Sequence, residues 1–145
     1  TKPLGTGGFS VVVEAAYRFH DLGPPRRVAV KVMNLTSMDS NEIKMIQREI
    51  ECMQSVAAHA NVVNLIAVNG DPSAVDANGT LIGVALMLDL AQHGSLRDLI
   101  TSGEEWAWDE RCRLLVDTAR GVNALHRHGT NGIIHRDLKS MVSVS

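Results

Sequence analysis

The chain has 145 residues, 45% of them hydrophobic, and 14 Lys and Arg stand against 16 Asp and Glu for a net charge of -2. That is enough apolar material for a buried core, while the balanced charge gives no basic surface for a nucleic-acid partner. The longest apolar run, residues 81–88, is far short of the ~20 residues that cross a bilayer, so no membrane partner is expected.

In chain order, the β-rich run at residues 11–19 is followed by the turn Gly23-Pro24-Pro25 and by Val28-Ala29-Val30-Lys31-Val32. Two strands joined by a turn-rich loop read as antiparallel neighbours. Asp39-Ser40-Asn41-Glu42 is a capping-box start, and a helix is expected from there to about Ala58. Residues 62–68 and 80–88 read as further strands. From Ser95 onward the period turns helical: Leu96, Leu99 and Ile100 mark a short helix. A longer one at 109–126 places Cys112, Leu115, Ala119 and Val122 on one face. With a strand ahead of the glycine cluster, this makes five strands and one helix, then helices alone, an α+β chain with segregated layers. The boundary is expected near residues 90–94, giving parts at 1–90 and 91–145.

Leu4-Gly5-Thr6-Gly7-Gly8-Phe9-Ser10-Val11-Val12 gathers glycines where a backbone can approach phosphate oxygens without Cβ interference. A tight β-hairpin alone explains the same residues. A dinucleotide-binding loop needs a third glycine and a helix next, but Ser10 and a β-branched run follow. A Walker A loop needs Gly-Lys-Ser/Thr, which is absent. Lys31 ends an apolar strand and shares a face with Ala29; by itself it reads as a solvent-seeking lysine. Glu49, however, falls among Met45, Met53 and Val56 on the helix, inside the apolar arc. A buried carboxylate needs a partner, and Lys31 is the expected one. His126 falls on the apolar face of its helix and reads as a core histidine; His126, His128 and His135 form no zinc spacing with the two cysteines, Cys52 and Cys112. Cysteine usage fits a reducing, cytoplasmic compartment.

Near the C-terminus stands Ile134-His135-Arg136-Asp137-Leu138-Lys139-Ser140. Together with the glycine cluster, Val28-Ala29-Val30-Lys31 and Glu49, it resembles the eukaryotic protein kinase family, serine/threonine type, within the tyrosine-kinase-like group. The resemblance implies a five-stranded N-lobe with one helix, then the first helices of a helical C-lobe. It implies ATP as cofactor, a protein substrate as partner, and transfer of the γ-phosphate to a protein hydroxyl. Leu4, Gly5, Thr6, Gly7, Gly8, Phe9 and Ser10 would form the phosphate-covering flap, with Ser10 where the family usually has its third glycine. Val12 and Ala29 would enclose adenine, Val63 would line the back, and Leu88 would guard the rear of the pocket. The Asp89 carbonyl and Ala91 amide would meet the adenine edge. Met53, Leu65 and His135 match a hydrophobic column of the family. Lys31, held by Glu49, would grip the α- and β-phosphates; Asp137 would orient the substrate hydroxyl, and Lys139 would neutralise the transferred phosphoryl group.

The family binds Mg²⁺ through an asparagine five residues after the catalytic aspartate, and here Val142 occupies that position. The Asp-Phe-Gly segment, which carries the other metal ligand, is also missing from the sequence, so no metal ligand is assigned. These features and the start at Thr1 lead us to expect a truncated piece of a kinase domain. It would be inactive on its own, with Leu114, Leu115, Val122, Leu125 and Ile133 partly uncovered. The competing reading is a non-catalytic half-domain that binds a nucleotide or a partner protein.

Overall fold

The computed structural model describes residues 2–6, 10–18, 23–36, 38–56, 59–70, 83–103 and 105–139. Five strands form one antiparallel sheet: β1 (Lys2–Thr6), β2 (Ser10–Tyr17), β3 (Arg26–Met33), β4 (Leu65–Asn69) and β5 (Val84–Asp89), in the order β1-β2-β3-β5-β4. Helix α1 (Ser40–Ser55) lies between β3 and β4 in the chain, and α2 (Leu96–Thr101) and α3 (Trp108–His126) follow β5. The chain divides into two units, one of residues 1–55 and 65–90, the other of residues 56–64 and 91–145.

In the first unit the β2–β3 hairpin runs unbroken from Ser10 opposite Met33 to Tyr17 opposite Arg26. Its β-branched content suits a pleated, half-buried surface. α1 begins with the anticipated box. Asp39 accepts hydrogen bonds from the backbone N–H groups of Asn41 and Glu42, while Glu42 accepts from the Asp39 N–H. Three of the helix's otherwise open backbone groups are thereby satisfied. Ile46 and Ile50, one turn apart, seat α1 against Met33, Leu35, Val84 and Leu86, with Met38, Met53, Leu65, Val68 and Leu88 packed around them. Leu35, Leu86, Val28 and Val84 are fully buried, and burying such a side chain stabilises by about 1.5–3 kcal/mol.

Several expected boundaries shift. β4 starts at Leu65 rather than residue 62, because residues 59–62 form a turn. There Val62 N–H donates to the His59 carbonyl, and Asn61 N–H donates to His59 Nδ1 at 3.1 Å. β5 is laddered from Val84, with residues 80–82 outside the described set. α1 ends at Ser55, and Ala57 and Ala58 are likewise outside it.

In the second unit the buried side of α3 is not the one anticipated. Of the anticipated stripe, Cys112, Leu115 and Ala119 are exposed and Val122 is half-buried, and His126, read from the sequence as a core histidine, is exposed too. The side that docks carries Gly121, the helix's buried residue, flanked by half-buried Leu114, Thr118 and Leu125. A Cβ at Gly121 would stand 2.3 Å from the Asn61 carbonyl oxygen. The missing side chain is therefore what lets this side approach the 59–64 backbone. Hydrophobic period pointed to the Cys112–Leu115–Ala119–Val122 stripe, whereas close approach at the glycine sets the side that docks.

Candidate functional site

The register of β3 explains which residues share the candidate surface. Val12 pairs with Lys31 across β2–β3, and Ala29 pairs with Leu88 across β3–β5. Directly opposed residues project to the same side of a sheet, so Val12, Ala29, Lys31 and Leu88 occupy one face. Ala29 is buried, whereas Val12 and Leu88 are half-buried. Lys31 Nζ lies 2.9 Å from Glu49 Oε1, joining the strand to α1. The pair is the one anticipated from the sequence, but its setting differs. Glu49 retains 49% side-chain exposure and Lys31 25%, and Met45 is 64% exposed. Ile46 and Ile50 take the centre of the buried stripe, leaving Glu49 on its edge. The carboxylate is thus only partly desolvated.

At the ends of these strands, Thr6 pairs with Val11, and Gly7, Gly8 and Phe9 lie outside the described residues. Leu4 is exposed, and the register shifts between Pro3 and Gly5. Asp89 is the last laddered residue of β5, opposite Val28. Its carboxylate Oδ1 lies 3.0 Å from the Arg26 guanidinium. Sequence reading missed this pair because strand register, rather than any motif, brings the two together.

The second unit holds Val63, Ala91, Asp137 and Lys139. Val63 is 40% exposed and Ala91 half-buried. Just after Ala91, Gly94 adopts φ +76°, and a Cβ there would come within 2.9 Å of Asp98 Oδ2. That close approach makes room for a capping box: Ser95 N–H and Oγ donate to Asp98 Oδ2 at 2.8 and 2.6 Å, and Asp98 N–H donates to Ser95 Oγ at 3.2 Å. The Ser95 hydroxyl, then its backbone N–H, hold the Asp98 carboxyl below its ordinary range. At the far end, Arg136 is left-handed with φ 63°, a conformation that costs a non-glycine residue roughly 1–2 kcal/mol. The turn allows Asp137 N–H to donate to His135 Nδ1 at 3.3 Å. Lys139 Nζ sits 2.9 Å from Asp137 Oδ2, with 57% and 72% side-chain exposure for the two. No group of three or more His, Cys, Asp or Glu suited to a metal occurs among the described residues.

A family model described as the protein kinase domain matches residues 1–141. The chain belongs to that family. Among curated relatives, this kinase chain is 32% identical over 136 residues to a probable myosin light chain kinase of Dictyostelium discoideum, covering 94% of this chain and 38% of that protein. It is 32% identical over 142 residues to the receptor-like protein kinase FERONIA of Arabidopsis thaliana, covering 97% and 14%. A calcium and calcium/calmodulin-dependent serine/threonine-protein kinase of Lotus japonicus is 32% identical over 139 residues, covering 96% and 23%. This kinase chain therefore spans between 14% and 38% of the length of these relatives. Its five-stranded antiparallel sheet with one intervening helix, followed by helices, agrees with the α+β kinase architecture expected from the sequence. Among the described residues, no helix is long and apolar enough to cross a membrane.

Proposed function

We propose that these 145 residues form the ATP-binding part of a serine/threonine protein kinase domain, with residues 1–90, apart from the 56–64 stretch that belongs to the second unit, as the nucleotide-binding lobe and residues 91–145 carrying the catalytic loop. The observation that carries this reading is the Lys31–Glu49 ion pair at 2.9 Å. It rises from a sheet face that also bears Val12, Ala29 and Leu88. A lysine ammonium has three N–H donors. One engages Glu49, leaving donors for the α- and β-phosphates of ATP. Small, buried Ala29 and branched Val12 give adenine a flat apolar wall. Leu88 limits the depth of that surface, and the Asp89 carbonyl offers the base a hydrogen-bond acceptor. The sequence assigns Leu4 to Ser10 to the phosphates through its glycines, of which Gly7 and Gly8 lie outside the described residues. This donor set fits ATP.

It does not fit Mg²⁺. Magnesium needs hard oxygen ligands, and the Asp137 carboxylate already faces the Lys139 ammonium, which repels a dication. Val142 offers no side-chain oxygen. Asp137 would still orient a substrate hydroxyl and Lys139 would still neutralise a phosphoryl oxygen. Without the metal frame, however, the electrostatic stabilisation that dominates phosphoryl transfer is incomplete. Phosphotransfer from ATP to protein hydroxyls is accordingly assigned to the complete domain, and nucleotide binding to these residues.

ATP titration of the chain and of Lys31→Met, run beside a phosphotransfer assay with and without Mg²⁺, tests both statements. Unchanged ATP affinity in Lys31→Met would remove the nucleotide assignment, and metal-dependent turnover by the 145-residue chain would overturn the division of labour.

A further inference from the structure

Asp89 sits at a corner of the sheet. Its ladder partner on β3 is Val28, and β4 reaches only as far as Leu65 opposite Leu88, so Asp89 has no partner on that side. β3 continues past this last pair by two residues, Arg27 and Arg26. Arg26 projects to the same side as Val28, two residues away, and its guanidinium reaches diagonally to Asp89 Oδ1 at 3.0 Å. Asp89 therefore turns its carboxylate away from the face that carries Ala29, Lys31 and Leu88. One ladder contact and one ion pair together set the orientation of this residue. Loss of the ion pair leaves a strand end held by its last β3 ladder contact alone, the kind of position that frays first.

We infer that Arg26 is a positioning residue for recognition of the adenine base, acting through Asp89. The inference rests on the nucleotide reading above and adds the group that fixes the Asp89 peptide. The contact is a single charge-assisted hydrogen bond from one guanidinium nitrogen to Asp89 Oδ1, which favours one direction for the carboxylate. The pair is more than half exposed on the arginine side, so the effect should be modest in size and confined to the base.

Calorimetric or chemical-shift titrations with adenosine, ATP and inorganic tripolyphosphate separate the possibilities. For Arg26→Ala and Asp89→Asn, the affinities for adenosine and ATP should fall ~2- to 5-fold, the range of an exposed pair, while tripolyphosphate binding stays unchanged. The exchanged pair, Arg26→Asp with Asp89→Arg, should recover most of the loss. Lys31→Met has the opposite signature: weaker tripolyphosphate and ATP, unchanged adenosine. Equal losses for adenosine and tripolyphosphate in Arg26→Ala would mean a general loosening of the sheet and overturn the proposal. Unchanged adenosine affinity would do the same. Loss of the Lys31→Met signature instead strikes at the nucleotide reading itself.

Discussion

Replacing Glu49 by Gln keeps the size of the side chain and removes its charge, which isolates what the carboxylate does for Lys31. At 2.9 Å, two unit charges in a water-like dielectric attract by about 1.4 kcal/mol. The half-exposed setting lets water and salt screen them, and holding two flexible side chains costs entropy, so a net ~0.5–1 kcal/mol remains. Glu49→Gln should therefore weaken ATP binding only ~2- to 5-fold. Lys31→Met removes the charged donor itself. A hydrogen bond to a charged group is worth about 1.5–3 kcal/mol, so affinity should fall ~10- to 150-fold. Because Glu49 acts through Lys31, the double variant should bind no worse than Lys31→Met alone. Isothermal titration at fixed ionic strength completes the cycle. Additive losses in the double variant would refute this reasoning, since they would mean that Glu49 reaches the nucleotide by another route.

The remaining expectations concern the scaffold. Leu86 is fully buried in the sheet–helix core, so Leu86→Ala should cost about 2–5 kcal/mol in urea unfolding; under 1 kcal/mol would contradict that core. An alanine replacing an open helix glycine gains ~0.5–1 kcal/mol. Gly121→Ala should instead destabilise by ~1–3 kcal/mol, because the new methyl meets the Asn61 carbonyl, and the sign of the change is the test. The Asp98 carboxyl is held down by Ser95, so its contribution to stability is fully present above the unfolded carboxylate value of about 4. It fades as pH falls through the lowered folded value. Carboxyl NMR titration should show the depression disappear in Ser95→Ala. Amides of α3, whose buried residue is Gly121 alone, should exchange at least ~10-fold faster than those of β3 and β5; uniform protection would refute this.

What the sequence disclosed follows from how local each signal is. The capping box at Asp39 and Glu42, the β-branched strands around Gly23-Pro24-Pro25, and the span of α3 are short-range features and were legible. The choice of Glu49 as partner for Lys31 was legible too, through one helical period and one strand alternation. Its degree of burial was not. Glu49 lies one residue from Ile50, and a shift of the helix by a fraction of a turn moves it from centre to edge. The docking side of α3 was hidden for a similar reason. A glycine adds nothing to a hydrophobic stripe, yet Gly121 is where backbone meets backbone. The Arg26–Asp89 pair depends on the β3–β5 register, and the two residues are 63 positions apart in the chain.

The error about Glu49 has a functional meaning. Sequence reasoning asked for a buried carboxylate that forces a lysine to its side. A fully buried pair, however, would keep its charges from any ligand, since opening it strands an unpaired ion at a cost of several kcal/mol. The observed pair holds Lys31 in place while a quarter of its side chain remains open. A polyphosphate can then share the ammonium without displacing the carboxylate. Lys139 follows the same logic in the other unit: it is held by Asp137 but largely exposed. In both places the carboxylate sets the direction of a cation whose remaining donors stay available. Under the nucleotide reading proposed above, those open donors are the groups that a polyphosphate would engage.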